Sequence, residues 1–323
     1  MVTSMKASGR HWASINEVGF VAGMRLMFWI CRVFGRWPFR IVLYPILLWY
    51  VVTKPASRRV SSDYLYRVTS YGNNKTGLKP NTNGVVKHFA AFAETILDKM
   101  LLWGGLYKTS TVKFFGVEQM DKCVIEKRGA LLICSHLGNL ELSRVLSRRR
   151  KNVRMTVLVH TKHAQAFNKM LGALDPDSQL NLMQVTEITP ATAMLLSEKI
   201  DQGEFVVIAG DRIPVAANPR VAITRFLGAP AAFPVGPYIL ASILQCPIYL
   251  LFSLQVDGHP EIHFELLREL VRVPRKGRDE ALASIVADYA ARLEHHCLRA
   301  PLQWFNFYDF WHLPQLDTSD APR

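Results

Sequence analysis

From about residue 84 the chain alternates between two hydrophobic rhythms. "VVKHFAAFAETILDKMLLWGGL" repeats its apolar positions at helical spacing, and Gly104-Gly105 ends it. Short apolar runs then interleave with amphipathic stretches. Strands are predicted at "TVKFFGV", "ALLICS", "VRMTVLVH", "NLMQV", "EFVVIAG", "PIYLLFSLQV" and "EIHFELL". Helices are predicted over 138–149, 162–173, 190–202, 235–245 and 278–298. This alternation predicts an α/β fold, a mixed and largely parallel central sheet flanked by helices. In such sheets ligands sit beyond the carboxyl ends of the strands. Three predicted tips are polar: His136 after "ALLICS", "HTKH" after "VRMTVLV", and "GDR" after "EFVVIA".

The first sixty residues follow another pattern. The longest uncharged run, Ile41 to Thr53, contains Pro45 and is shorter than the roughly 20 apolar residues a spanning helix needs. Arg25, Arg32 and Arg36 form one stripe on a helix, with Trp29 and Trp37 as headgroup-depth anchors. A basic stripe beside a broad apolar face describes a helix lying in a membrane interface. Lys54, Arg58 and Arg59 suit the cytoplasmic side. A pair of core helices with snorkelling arginines has the same composition. The expected organisation is a membrane-associated helical segment over 1–60, an α/β domain over 61–315 and a frayed tail over 316–323.

Charge sharpens the choice of partner. Lys and Arg total 39 against 26 Asp and Glu, a net +13. That balance suits an acidic carrier protein, anionic lipid or nucleic acid. Cys31, Cys123, Cys134, Cys246 and Cys297 form no CxxC pair and mostly sit in apolar runs, as core residues of a reducing compartment do. No metal site and no cofactor is expected.

The stretch "ALLICSHLGNLELSRVL" carries the candidate chemistry. A buried strand delivers His136 to its tip, and Glu141 follows five residues later. A histidine there is placed to act as a general base, and a carboxylate on its other ring nitrogen would orient it. Glu141 does not stack with His136 on a straight helix. A bend through Gly138-Asn139 would let Glu141 point back. Backbone N–H groups near Asn139 would face a developing oxyanion. No Gly-x-Ser-x-Gly elbow, GxxxxGK[ST] or HExxH occurs, so the base would act on a substrate hydroxyl or amine. A plain loop histidine at a strand end fits the same residues. His160 and His163 are not read as ligands.

"SHLGNLE" resembles the HxxxxD/E signature of the lysophospholipid acyltransferase superfamily, and most of all its late lipid A acyltransferase branch. "DRIPVAANPRVAITRFLGAPAAFPVGPYILASILQCPI" resembles that branch's second block through Asp211, Phe226, Gly228 and Gly236. "PLQW" matches the Pro-x-Gln-aromatic segment through Pro301, Gln303 and Trp304. The resemblance implies transfer of a fatty acyl group from a thioester, on acyl carrier protein or coenzyme A, to a hydroxyl. His136 would take the proton and Glu141 would orient it. Gly138, Asn139, Asp211, Arg212, Phe226 and Gly228 would contact substrate, with Arg212 on an anionic group. An apolar N-terminal segment also belongs to the family, and with the pattern of the first sixty residues the expected place is the cytoplasmic face of a bacterial inner membrane, interfacial rather than single-pass.

Two departures bear on the acceptor. The tail reads "FNFYDFWHL", without the basic residues the branch usually has there, and "GDRIPV" replaces its usual acidic turn. They imply an acceptor less charged than a lipid A precursor: another envelope lipid, a glycolipid or an aryl polyene pigment. A hydrolase using the same residues to activate water on thioesters is the rival enzyme. A nucleic-acid-binding protein rests on charge alone, since "RRRK" at 148–151 is a single short cluster.

Overall fold

The computed structural model describes residues 26, 29–73, 77–143, 153–159, 180–184, 189–213 and 219–313. The chain divides into two compact units, Met1–Ile46 and Leu47–Arg323. The first labelled helix, α1 (Trp37–Thr53), runs across that division and α2 (Pro55–Tyr71) follows it. The expected boundary at residue 60 falls inside α2. No single described helix is long and apolar enough to cross a membrane. The pair α1 and α2 has that length and composition only together, across a bend of 97°.

The larger unit is α/β. In chain order it holds α3 (Thr82–Trp103), β1 (Lys113–Phe115), α4 (Val117–Ile125), β2 (Ala130–Gly138), β3 (Met155–Val159) and β4 (Leu180–Gln184). Then come α5 (Pro190–Asp201), β5 (Phe205–Ala209), β6 (Val221–Phe226), β7 (Ala229–Pro234), α6 (Gly236–Leu244), β8 (Ile248–Val256), β9 (His259–Arg268) and α7 (Arg278–Arg299). Seven strands form one sheet in the order β1-β9-β8-β2-β5-β3-β4. Every neighbouring pair is parallel except β8 with β9. The continuous apolar runs of β2 and β5 belong to parallel strands inside the sheet that are buried on both faces. Ala130 to Cys134 and Phe205 to Val207 are all buried.

Local chemistry sets the helix ends. The Asn81 carboxamide accepts the Gly84 N–H at 2.9 Å to start α3, and Thr189 followed by Pro190 opens α5. Gly116 starts α4 in the left-handed region, where an added Cβ would lie 2.0 Å from the Phe264 carbonyl oxygen.

Three elements depart from the sequence reading. The helix expected over 138–149 does not start at 138: β2 continues through Gly138, and a 3-10 turn covers Leu140–Leu142. Residues 144–149, like the helix expected over 162–173, lie outside the described residues. The hairpin β6–β7 was not predicted as strands. It closes on Leu227 and Gly228, both at positive φ, as a two-residue hairpin turn requires. Helix α4 was also missed, because its nine residues directly follow the β1 run.

Candidate active site

The site begins as an irregularity in β2. Cys134 pairs with Leu251 of β8, but the next pairing joins Gly138 to Ser253. Four residues of β2 therefore span what two residues of β8 span. Such a bulge disrupts the ladder and re-aims side chains. The freed stretch, Ser135 to Leu137, finds other partners. Phe305 N–H donates to the His136 carbonyl at 2.9 Å, and Gly138 N–H donates to the Gln303 carbonyl at 2.8 Å. The segment from Gln303 to Phe305 thus lies antiparallel along the bulge. Gly138 is required by packing: its φ is +70°, and an added Cβ would sit 1.8 Å from the Ser253 carbonyl oxygen. It was expected to contact substrate, but it is where β2 closes onto β8.

Strand β5 lies beside β2 in parallel register, with Cys134 opposite Ala209. β5 ends at Ala209 and β2 runs on, and two residues beyond that pair on each chain His136 and Asp211 meet at the same edge. Gly210 permits the approach, since an added Cβ would lie 2.5 Å from the Ile133 side chain. His136 Nδ1–H donates to Asp211 Oδ1 at 2.8 Å, and His136 backbone N–H donates to Oδ2 at 2.8 Å. One carboxylate therefore holds both the ring and the backbone of the same residue. With the Nδ1 proton given to a carboxylate, Nε2 keeps the lone pair. The His136 side chain is about one-third exposed, at 32%, while Asp211 is fully buried.

This geometry corrects the expected pairing. The carboxylate on Nδ1 is Asp211, not Glu141. The strand-like course of β2 carries the chain past position 138 before any turn, so Glu141 is not swung back onto Nδ1. Asp211 had been placed among the substrate contacts. Glu141 instead sits on the 3-10 turn, its N–H capped by the Asn139 carboxamide oxygen at 3.1 Å. It lies within electrostatic reach of Lys99 on α3.

Asp211 is held by more than His136. Trp304 Nε1–H donates to Oδ2 at 2.9 Å, and Asn306 Nδ2–H donates to the same oxygen at 3.1 Å. Burial by itself would raise the Asp211 pKa. The charge of His136 and the donated hydrogen bonds outweigh it and hold the carboxyl below its ordinary value. Asn306 and Tyr308, in the tail that departs from the family pattern, both also donate to the Asp211 carbonyl, at 3.3 Å each. Sequence reasoning assigned these two no role. Trp304 was singled out only through "PLQW".

The remaining expected residues divide. Arg212 is exposed, and its guanidinium donates to Asn306 Oδ1 at 2.9 Å and to the Phe305 carbonyl at 3.2 Å. Burial lowers the Lys99 pKa, Glu141 opposes that shift and Arg212 adds to it, so the three charges neighbour one another. The Asn139 side chain is buried, and its Nδ2 has no hydrogen-bond partner among the described residues. Phe226 and Gly228, also expected to contact substrate, both lie on the β6–β7 hairpin. Phe226 is fully buried, packing edge-on to Trp304 with ring centres 5.2 Å apart, and Gly228 forms the hairpin turn. Phe226 thus supports the indole from the hairpin that Gly228 turns. His160 and His163 lie outside the described residues.

One described group has ligand geometry for a metal: His263, Glu265 and His296, whose ligand atoms lie within 4.8 Å of one another. Its cation positions are already filled. Arg292 pairs both oxygens of Glu265, and Arg299 contacts His263 Nε2 and Glu261.

No curated protein matches the chain. The family model described as bacterial lipid A biosynthesis acyltransferase matches residues 85–312, which include His136, Asp211 and the Trp304–Tyr308 segment. The chain is therefore an acyltransferase and belongs to the bacterial lipid A biosynthesis acyltransferase family.

Proposed function

We propose that this acyltransferase moves a fatty acyl group from an acyl thioester, carried by acyl carrier protein, to a hydroxyl of an envelope lipid, glycolipid or pigment. The observation that carries the reading is the half-buried imidazole of His136, its Nδ1 bonded to a buried carboxylate and its Nε2 left as the base. Nε2 takes the proton of the acceptor hydroxyl as its oxygen attacks the thioester carbonyl. Asp211 stabilises the imidazolium that results. The tetrahedral intermediate expels the thiolate, which leaves with the proton from His136. Asn139 Nδ2, a buried donor without a partner among the described residues, suits the oxyanion that forms on the carbonyl oxygen.

Two surfaces support the choice of partners. The net charge of +13 suits an acidic carrier protein. Helix α1 leaves Trp37, Ile41, Val42, Leu48, Trp49 and Val52 exposed, an apolar surface fit to lie in the interface of the membrane that holds the acceptor. The reading places the protein on the cytoplasmic face of the inner membrane.

The test is transfer from acyl carrier protein thioester to envelope lipid extract, with products resolved by mass spectrometry. Wild type should yield a lipid heavier by one acyl unit, and His136→Ala should yield none while staying folded. Free acid forming at the same rate with and without lipid would make the enzyme a thioester hydrolase.

A further inference from the structure

A second buried histidine stands behind the site and belongs to none of the motifs. His88 lies on α3 and is 1% exposed. Its Nε2 contacts the Trp304 carbonyl oxygen at 3.0 Å, and its Nδ1 contacts Ser61 Oγ on α2 at 2.8 Å. A carbonyl only accepts, so Nε2 carries the proton, Nδ1 accepts, and the Ser61 hydroxyl donates. Burial lowers the His88 pKa to about 4, which keeps the ring neutral, and the carbonyl on Nε2 sets the tautomer. The ring also packs between Tyr64 and Phe307, with centres 5.3 and 4.9 Å away.

Trp304 is the residue whose indole N–H meets Asp211. Its neighbours Gln303 and Phe305 make the two backbone bonds to the β2 bulge. Gln303 is itself doubly held, its side chain bonding the Gln255 N–H at 2.8 Å and the Gln255 carbonyl at 2.6 Å. Those bonds locate position 303. The next peptide plane, on which the indole direction depends, is held at its N–H edge by the Phe305 bond to the His136 carbonyl, which leaves its carbonyl edge to be fixed. His88 grips that plane by its oxygen. A continuous hydrogen-bonded chain thus runs from Ser61 through His88, Trp304 and Asp211 to His136.

We infer that His88 is a positioning residue for acyl transfer: it holds the Trp304 peptide so that the indole N–H stays on Asp211, and Asp211 in turn holds His136. It touches no reacting atom. The inference rests on the proposed role of His136 for its kinetic consequence, but its structural step is observable without activity. Removing the Nε2 donor leaves the 304 peptide held at its N–H edge alone, so that it can tilt about the Phe305 bond, and a misplacement of about 1 Å at a catalytic group costs roughly a hundredfold in rate.

The experiment compares His88→Leu, His88→Gln and His88→Asn in the full-length protein. Gln places its amide nitrogen close to the position of Nε2, whereas Asn is too short and Leu has no donor. The first readout is the Trp304 indole N–H resonance in 15N-labelled protein, assigned with Trp304→Phe. It should shift and lose protection from solvent exchange in the Leu and Asn variants, and stay in place in the Gln variant. The second is kinetics: kcat should fall roughly ten- to a hundredfold in Leu and Asn with KM unchanged, and stay within about threefold in Gln. An unmoved indole resonance in His88→Leu, or Gln and Asn variants that behave alike, would overturn the inference. Should His88→Leu not fold, the Gln–Asn comparison decides alone. Wild type without transfer activity but with the indole shifts as expected would remove the proposed function and leave the coupling.

Discussion

Asp211→Asn separates the two carboxylates that compete for the role beside His136. The substitution keeps shape and removes only charge, so its cost follows from donors and acceptors. Oδ2 receives three N–H groups, from His136, Trp304 and Asn306, while Oδ1 receives one, from His136 Nδ1. If the new NH2 replaces Oδ2 it faces three donors. The amide therefore turns its NH2 toward Nδ1, where a single partner can adapt. His136 must then accept at Nδ1 and carry its proton on Nε2, which removes the base. A wrong-tautomer histidine of this kind costs roughly 10⁴-fold in kcat in serine proteases, and a loss of about 10³- to 10⁴-fold is expected here. Glu141→Gln leaves the Nδ1 bond intact and should cost less. The assay is transfer from acyl carrier protein thioester under saturating lipid, with circular dichroism as a check on folding. Asp211→Asn retaining more than about a tenth of wild-type kcat, while Glu141→Gln loses most of it, would refute the argument and return the role to Glu141.

Further expectations follow from packing and titration. Gly138→Ala should destabilise by roughly 3 kcal/mol or fail to fold, because the new Cβ meets a backbone oxygen at 1.8 Å; a thermal melt measures it. His88 has a folded pKa lowered to about 4 by burial, below its unfolded value, so its contribution is full above pH 6.5 and lost as pH falls toward 4. Denaturation at pH 7 and pH 4 should show a drop about 3 kcal/mol larger in wild type than in His88→Gln. Trp49→Asp on the exposed face of α1 should lower partition onto liposomes roughly tenfold without changing the melting temperature.

Much of the architecture is legible along the chain because it is local. Hydrophobic period separates the strands of the central sheet from α3, α5, α6 and α7, and length with Pro45 rules α1 too short to span alone. The apolar run ending at Ser135 is enough to put His136 at a strand tip. The β6–β7 hairpin escaped because β7 contains Pro230 and Pro234, and its turn depends on a left-handed Leu227 that no propensity favours. The partner of His136 escaped for another reason. Asp211 lies 75 positions away, and only the parallel register of β2 with β5 sets the two tips side by side. A bulge two residues deep then turns the imidazole outward, and that bulge exists only against β8. Asn306 and Trp304 reach Asp211 because the chain after α7 returns along the bulge. The sequence by itself thus determined which segments are strands and helices and which histidine stands at an edge. Only the tertiary structure decided which carboxylate holds that histidine, because hydrogen bonds across a sheet depend on register and not on spacing along the chain.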